Sequence, residues 1–161
     1  MYDSFEGLPA GDSARGDPPA YDQRAGSMRC DVSAVRATFE TLGLPPPAHI
    51  HKGWFEDTTA EDARVANPSV ISFAHLDGDL YKSIKTSLEF VYPRMERGAI
   101  AVIDDYADPD VLNRHNIFPG AFAACSDFFA DKPEDVVVLP TPHPGFAFPM
   151  QYECHAYFQK Q

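Results

Sequence analysis

Residues 70–79 read VISFAHLDGD and residues 99–105 read AIAVIDD, so two apolar runs each end in a pair of carboxylates. The segment between them has the spacing of an amphipathic helix, with apolar residues at Tyr81, Ile84, Leu88, Val91 and Met95. A strand, a crossover helix and a second parallel strand place both strand ends at the same edge of a sheet. The sequence therefore predicts buried parallel strands joined by one helix, with up to four carboxylates at the edge where open α/β sheets bind ligands.

The four acids at this edge are Asp77, Asp79, Asp104 and Asp105. Two unit charges about 4 Å apart repel by roughly 4 kcal/mol at an effective dielectric constant of about 20. Such a cluster is stable only if some carboxyls stay protonated or a cation lies among them. Oxygen ligands favour Mg²⁺, Mn²⁺ or Ca²⁺ over zinc, so the leading interpretation is a hard-metal site. For Asp79 the alternative is a capping role, because this residue comes directly before the predicted helix.

An Asp-x-Asp after an apolar strand is also found in phosphatases of the haloacid-dehalogenase type, where the first Asp is the nucleophile and the second the acid/base. Here those residues would be Asp77 and Asp79. That pattern needs further strands and a Lys before the next acidic pair, whereas Asp104 follows after a single crossover. Leu80 also stands where Thr or Val is usual, so the phosphatase is a minor alternative.

The rest of the chain alternates predicted strands and helices, which indicates an α/β fold with a mostly parallel sheet. Residues 7–31 are rich in Gly, Pro, Asp and Ala and predict a long, lid-like loop. The histidines are less informative: His75 alternates with Asp77 along its strand, but a hydrogen-bonded core histidine is the commoner case. The further predicted elements are helices at 31–42, 61–66 and 121–128 and strands at 48–54, 135–139 and 152–158.

The composition limits the class of protein. The chain has 161 residues, 13 basic and 24 acidic, with a formal net charge of −11. This acidic balance disfavours nucleic acid and anionic membranes as partners. No apolar run approaches the ~20 residues that span a bilayer, and no signal peptide is evident at the start. Three cysteines without a Cys-x-x-Cys pair indicate reduced thiols, so we expect a cytoplasmic protein with a small-molecule or protein partner.

Six stretches, two of which overlap the acidic strand ends, stand in a fixed order between residues 3 and 120. They are DSFEGLP at 3–9, KGWFEDT at 52–58, LDGDLYKS at 76–83, YPRM at 92–95, IDDY at 103–106 and FPG at 118–120. Each is weak alone, but together they are specific. The chain resembles the macrocin O-methyltransferase family, whose S-adenosylmethionine-dependent members methylate sugar hydroxyls of macrolide and aminocoumarin antibiotics.

This resemblance implies a partial class I methyltransferase Rossmann-like sheet, mostly parallel with an antiparallel C-terminal strand. It assigns a magnesium site to Asp77, Asp104 and Asp105 and the role of general base to Asp79. The implied activity is Mg²⁺-dependent methylation of a hydroxyl on a small molecule, a sugar or another natural product. The chemistry agrees with the acidic pattern, since a bound cation would lower the pKa of the acceptor hydroxyl and a nearby carboxylate could accept its proton.

The resemblance also implies contacts to the cofactor S-adenosylmethionine. Asp3 would lie at the end of the family's second strand, where an acid typically binds the ribose hydroxyls. Trp54 and Phe55 follow the third strand and would flank the adenine. Ordinary core packing is the alternative for both aromatic side chains.

The Gly-rich cofactor turn of the family has no counterpart here, because the chain contains no Gly-x-Gly. In the family's strand order, 3-2-1-4-5-7-6, this chain begins where the second strand ends. We therefore expect residues 1–161 to form a single, N-terminally incomplete methyltransferase domain whose third strand has lost its neighbour. The strand at 70–76 would expose an apolar edge, which favours a homo-oligomer. The alternative function is a non-catalytic metal-binding or dimerising remnant.

Overall fold

A computed structural model describes residues 1–19, 24–62, 70–106, 118–142 and 152–161. The strands are β1 (Tyr2–Asp3), β2 (His51–Lys52), β3 (Ile71–Leu76), β4 (Met95–Ile103), β5 (Val137–Pro142) and β6 (Tyr152–Gln159). The helices are α1 (Val32–Thr41), α2 (Phe55–Asp62), α3 (Tyr81–Val91) and α4 (Pro119–Phe129). No helix in these ranges has the length and apolar character needed to cross a membrane.

A four-stranded sheet with the order β3-β4-β6-β5 positions the acidic residues. β3 and β4 are parallel, as the crossover helix predicts, and β6 is antiparallel to both of its neighbours. The predicted α/β fold, with an antiparallel C-terminal strand, is confirmed. The register pairs Leu76 with Ile103, so β3 and β4 end side by side.

The crossover helix α3 covers one face of this sheet. Its buried residues are Tyr81, Ile84, Leu88 and Val91, the stripe that the sequence spacing predicts. They belong to the same buried cluster as Ile103 and Phe158 of the sheet and the buried side of α4. Burying one such apolar side chain contributes roughly 1.5–3 kcal/mol, so this layer supplies much of the stability of the fold.

The opposite face of the sheet is uncovered among the described residues. Phe73 and Ile100, which pair across β3 and β4, are 62% and 39% exposed, and Val137 and Leu139 are each 42% exposed. The prediction of a buried strand at 70–76 is wrong on this face, because burial on both faces needs helices on both faces. Within the described ranges β3 has one sheet neighbour, so its other edge is open as expected.

Three other predicted elements differ from the structure. The short helix expected at 61–66 lies earlier, at α2, and residues 63–69 are outside the described part of the chain. β4 runs through Gly98, whose φ is +87°, instead of starting after it. The strand expected at 48–54 is reduced to β2, and β1 pairs with it in parallel. The strand expected at 48–54 is the third strand in the family's order, so the expectation that this third strand has lost its neighbour is wrong.

The segment predicted to be a lid, residues 7–31, is closed at its base. Leu8 N donates to the Ser27 carbonyl and Gly26 N donates to the Leu8 carbonyl, each at 2.9 Å. Gly7 has a φ of +84°, and a Cβ there would overlap the Ser27 carbonyl, so this closure depends on glycine. The role of this loop as a lid stays a prediction.

Asp17 anchors the same segment to α3. The side chain is 2% exposed, and its carboxylate accepts hydrogen bonds from Tyr81 N at 3.1 Å and Asp12 N at 2.9 Å. Leu80, at the N-cap of α3, supplies no side-chain cap, so Asp17 satisfies one of the open amides at the start of this helix. A Cβ on Gly120 would overlap the Asp17 carboxylate, which explains the glycine there.

Replacing Asp17 by Ala is expected to lower the free energy of unfolding by about 2–4 kcal/mol, because two amides lose a buried, charged acceptor. Chemical denaturation measures this loss. Asp31→Ala is the matched control, since Asp31 lies at the N-cap of α1 without making a cap hydrogen bond. A change below about 0.5 kcal/mol is expected for the control. Equal losses in the two variants would contradict the anchoring role of Asp17.

Candidate active site

Three carboxylates meet where β3 and β4 end. One oxygen each of Asp77, Asp104 and Asp105 lies within 4.8 Å of the other two. The amide of Asp104 donates to the carbonyl of Leu76 at 2.9 Å, which extends the pairing of the two strands to the first acid. Oxygens on opposite sides of one Mg²⁺ or Ca²⁺ ion lie about 4–5 Å apart, because each bond is roughly 2.0–2.6 Å long. The spacing and the oxygen donors therefore fit a single hard divalent cation.

Asp79 lies beside these three acids and is hydrogen-bonded to Asp105. Burial, this hydrogen bond and repulsion from the other carboxylates raise the pKa of Asp79 to about 8. The pKa of Asp77 is also raised, by loss of surrounding water and by repulsion from Asp104 and Asp105. With no cation bound, the cluster relieves its repulsion by keeping a proton near neutral pH.

The capping alternative for Asp79 is wrong, because the N-cap of α3 is Leu80 and the cap acceptor is Asp17. Asp79 has instead a φ of +57°, and Asp105 has a φ of +51°. This left-handed backbone costs roughly 1–2 kcal/mol for most residues other than glycine, although Asp and Asn adopt it more readily than the others. Phe5 and Met28 also have a positive φ, but only Asp79 and Asp105 among these four described residues carry carboxylates, and these two share a hydrogen bond. Strain of this kind clusters at functional sites.

A cavity of about 750 Å³ lies against the acids. Its volume is in the range of small-molecule sites, about 300–1,000 Å³. Asp3, Trp54 and Phe55 line this cavity, as do all four strand-end acids. One oxygen of Asp3 accepts a hydrogen bond from Phe5 N at 2.6 Å, which fixes the direction of its carboxylate. The structure thus brings every predicted site residue to one cavity, and the role of each stays a prediction. Further apolar walls come from Leu8, Pro9, Met28, Leu80 and Phe118.

Two histidines also contact the site, and the sequence did not assign either of them to it. Nδ1 of His155 contacts Oδ1 of Asp104, and Nε2 of His75 lies 3.5 Å from Oδ2 of the same carboxylate. The His75 side chain is 51% exposed, so the interpretation as a core histidine is wrong. The alternation of His75 with Asp77 along the strand was the feature of the sequence that could have placed His75 at the site. For His155 the sequence contains no such signal, because only the antiparallel register of β4 with β6 brings it beside Asp104.

Solved structures define the class of this fold. The O-methyltransferase NovP superposes with a TM-score of 0.68 at 22% identity, over 99% of this chain and 58% of that one. The calicheamicin methyltransferase CalS11 gives a TM-score of 0.62 at 21% identity, over 98% of this chain and 58% of that one. The fold is therefore that of a class I O-methyltransferase.

The sequence narrows this class to a family. The family model described as macrocin-O-methyltransferase (TylF) matches residues 1–119, and the chain belongs to this family. It is 36% identical over 114 residues to the 8-demethyl-8-(2,3-dimethoxy-alpha-L-rhamnosyl)-tetracenomycin-C 4'-O-methyltransferase of Streptomyces olivaceus, covering 66% of this chain and 41% of that one. It is 32% identical over 120 residues to the mycinamicin III 3''-O-methyltransferase of Micromonospora griseorubida, covering 68% and 44%. The chain thus spans less than half the length of these relatives. Membership in this family argues against the phosphatase alternative.

Proposed function

We propose that the protein is an S-adenosylmethionine-dependent, Mg²⁺-dependent O-methyltransferase that acts on a hydroxyl of a small molecule, a sugar or another natural product. The observation that carries this proposal is the meeting of Asp77, Asp104 and Asp105 at a cavity that Asp3 and Trp54 also line. The names of the relatives support the reaction and the substrate class, since both are O-methyltransferases and the first is named for a rhamnosyl-tetracenomycin. The structural neighbour TomG, solved in complex with S-adenosylmethionine, supports the cofactor.

Under this proposal the four acidic residues at the ends of β3 and β4 have two different roles. Asp77, Asp104 and Asp105 would hold Mg²⁺, which when bound supplies a Lewis acid that lowers the pKa of the acceptor hydroxyl. Asp79 lines the same cavity and would accept the hydroxyl proton as the oxygen bonds to the methyl group. The bond between that methyl group and the cofactor sulfur breaks in the same step, and S-adenosylhomocysteine leaves. The carboxyl of Asp79 is hydrogen-bonded to Asp105, so the proposed base lies beside the proposed metal ligands.

Other residues that line the cavity have the chemistry to bind a nucleoside. Trp54 and Phe55 offer apolar surface for the adenine, and the fixed carboxylate of Asp3 offers an acceptor for ribose hydroxyls. Repulsion from Asp3 makes a small contribution to the raised pKa of Asp77, so each of these two carboxylates lies within the electrostatic range of the other. A cofactor held at Asp3 would therefore lie next to the proposed metal site.

Titration calorimetry with S-adenosylmethionine tests the cofactor part of this proposal. The unaltered chain is expected to bind, and Phe55→Ala is expected to weaken binding about tenfold through loss of stacking on the adenine. Phe73→Ala is the matched control, because Phe73 is exposed on β3 and does not line the cavity. Binding of Mg²⁺ without any binding of the cofactor would contradict the proposal and favour the non-catalytic metal-binding alternative.

A further inference from the structure

The carboxylate of Asp104 lies between two imidazoles that come from the strands on either side of β4. Nδ1 of His155 contacts Oδ1, and Nε2 of His75 lies 3.5 Å from Oδ2. β6 is antiparallel to β4, and its register pairs Ile103 with Ala156, so His155 is the residue that lies beside Asp104. Each oxygen of this carboxylate therefore has its own nitrogen partner.

These contacts restrict the conformations that the side chain of Asp104 can adopt. Its amide is fixed by the hydrogen bond to Leu76 O at 2.9 Å, and its side chain is 23% exposed. The His155 side chain is 27% exposed and lines the cavity beside the three acids. A carboxylate that is oriented before a cation arrives loses less conformational entropy on binding it.

We propose that His155 is a positioning residue that holds the carboxylate of Asp104 in the orientation required to bind a divalent cation, with His75 assisting at the second oxygen. This inference rests on the metal site of the proposed function. Groups that hydrogen-bond to metal ligands typically change metal affinity about 10–100-fold when they are lost. His155 is the stronger candidate of the two, because its side chain is less exposed than that of His75.

Titration of the full chain with Mn²⁺ by calorimetry tests this role. His155→Ala is expected to weaken Mn²⁺ binding about 10–100-fold. His155→Asn is expected to bind within about threefold of the unaltered chain, because its amide can donate from nearly the position of Nδ1. His49→Ala is the control, since His49 does not line the cavity, and we expect it to leave Mn²⁺ binding unchanged.

Thermal unfolding in EDTA separates positioning from a general structural role. His155→Ala and His155→Asn are expected to unfold within a few degrees of each other without a cation, while only the Ala variant loses Mn²⁺ affinity. Equal Mn²⁺ affinity of His155→Ala and the unaltered chain would overturn this inference alone. Failure of the Asn variant to restore affinity, with both variants equally destabilised, would also overturn it. No Mn²⁺ binding by the unaltered chain would overturn the proposed metal site and this inference with it.

Discussion

Replacing Asp104 by Asn is expected to weaken Mg²⁺ binding at least about 100-fold. The substitution keeps the shape of the side chain but removes one of three negative charges that lie within 4.8 Å of one another. Affinity for hard divalent cations depends strongly on the number of charged ligands. Two charges separated by a metal–oxygen bond of about 2.1 Å attract by several kcal/mol even at an effective dielectric constant of about 20. Calorimetric titration with Mg²⁺ measures the loss.

The matched control for this substitution is Asp131→Asn. Asp131 is fully exposed on the surface and hydrogen-bonded to Lys132, so its replacement makes the same change in net charge away from the cavity. We expect this variant to bind Mg²⁺ as the unaltered chain does. A similar loss in both variants would mean that the general negative charge of the protein, and not the strand-end acids, attracts the cation.

Replacing Asp79 by Asn is expected to lower the rate of methyl transfer about 10²–10⁴-fold, the usual contribution of a general base. The assay follows transfer of a labelled methyl group from S-adenosylmethionine to a demethylated sugar of a natural product that the unaltered protein accepts. Mg²⁺ affinity should change much less than for Asp104→Asn. A rate within a few-fold of that of the unaltered protein would contradict the role of Asp79 as base.

The same variant should be more stable than the unaltered protein when no cation is present. The pKa of Asp79 is raised from 3.8 to about 8 in the folded chain, so its ionisation is unfavourable there. The destabilisation is absent below about pH 4, grows as the pH rises and is complete above about pH 8. In EDTA at pH 8, Asp79→Asn should raise the Tm by at least about 2–4 °C, and the gain should vanish near pH 4. A gain of equal size at both pH values would show that charge repulsion is not its cause.

The crossover unit could be predicted because its signals are local. The spacing of Ile84 and Leu88 defines the buried stripe of α3, and two apolar strands joined by one helix leave few topologies. From that topology alone, Asp77 and Asp104 are expected at one edge of the sheet. The structure places them there.

The remaining features depend on contacts between distant parts of the chain. Asp17 caps α3 from far upstream, and His155 reaches Asp104 through the register of an antiparallel strand. Neither relationship leaves a periodic pattern in the sequence. The exposure of Phe73 was not predicted, because a continuous apolar run is typical of a strand covered on both faces, whereas one face of β3 is uncovered in the described part of the chain.

The most direct test of the metal site is anomalous diffraction from crystals of the protein soaked in Mn²⁺. We expect one anomalous peak about 2.0–2.6 Å from a carboxylate oxygen of each of Asp77, Asp104 and Asp105. No peak at that position, or a peak bound by other residues while these three carboxylates point away from each other, would contradict it.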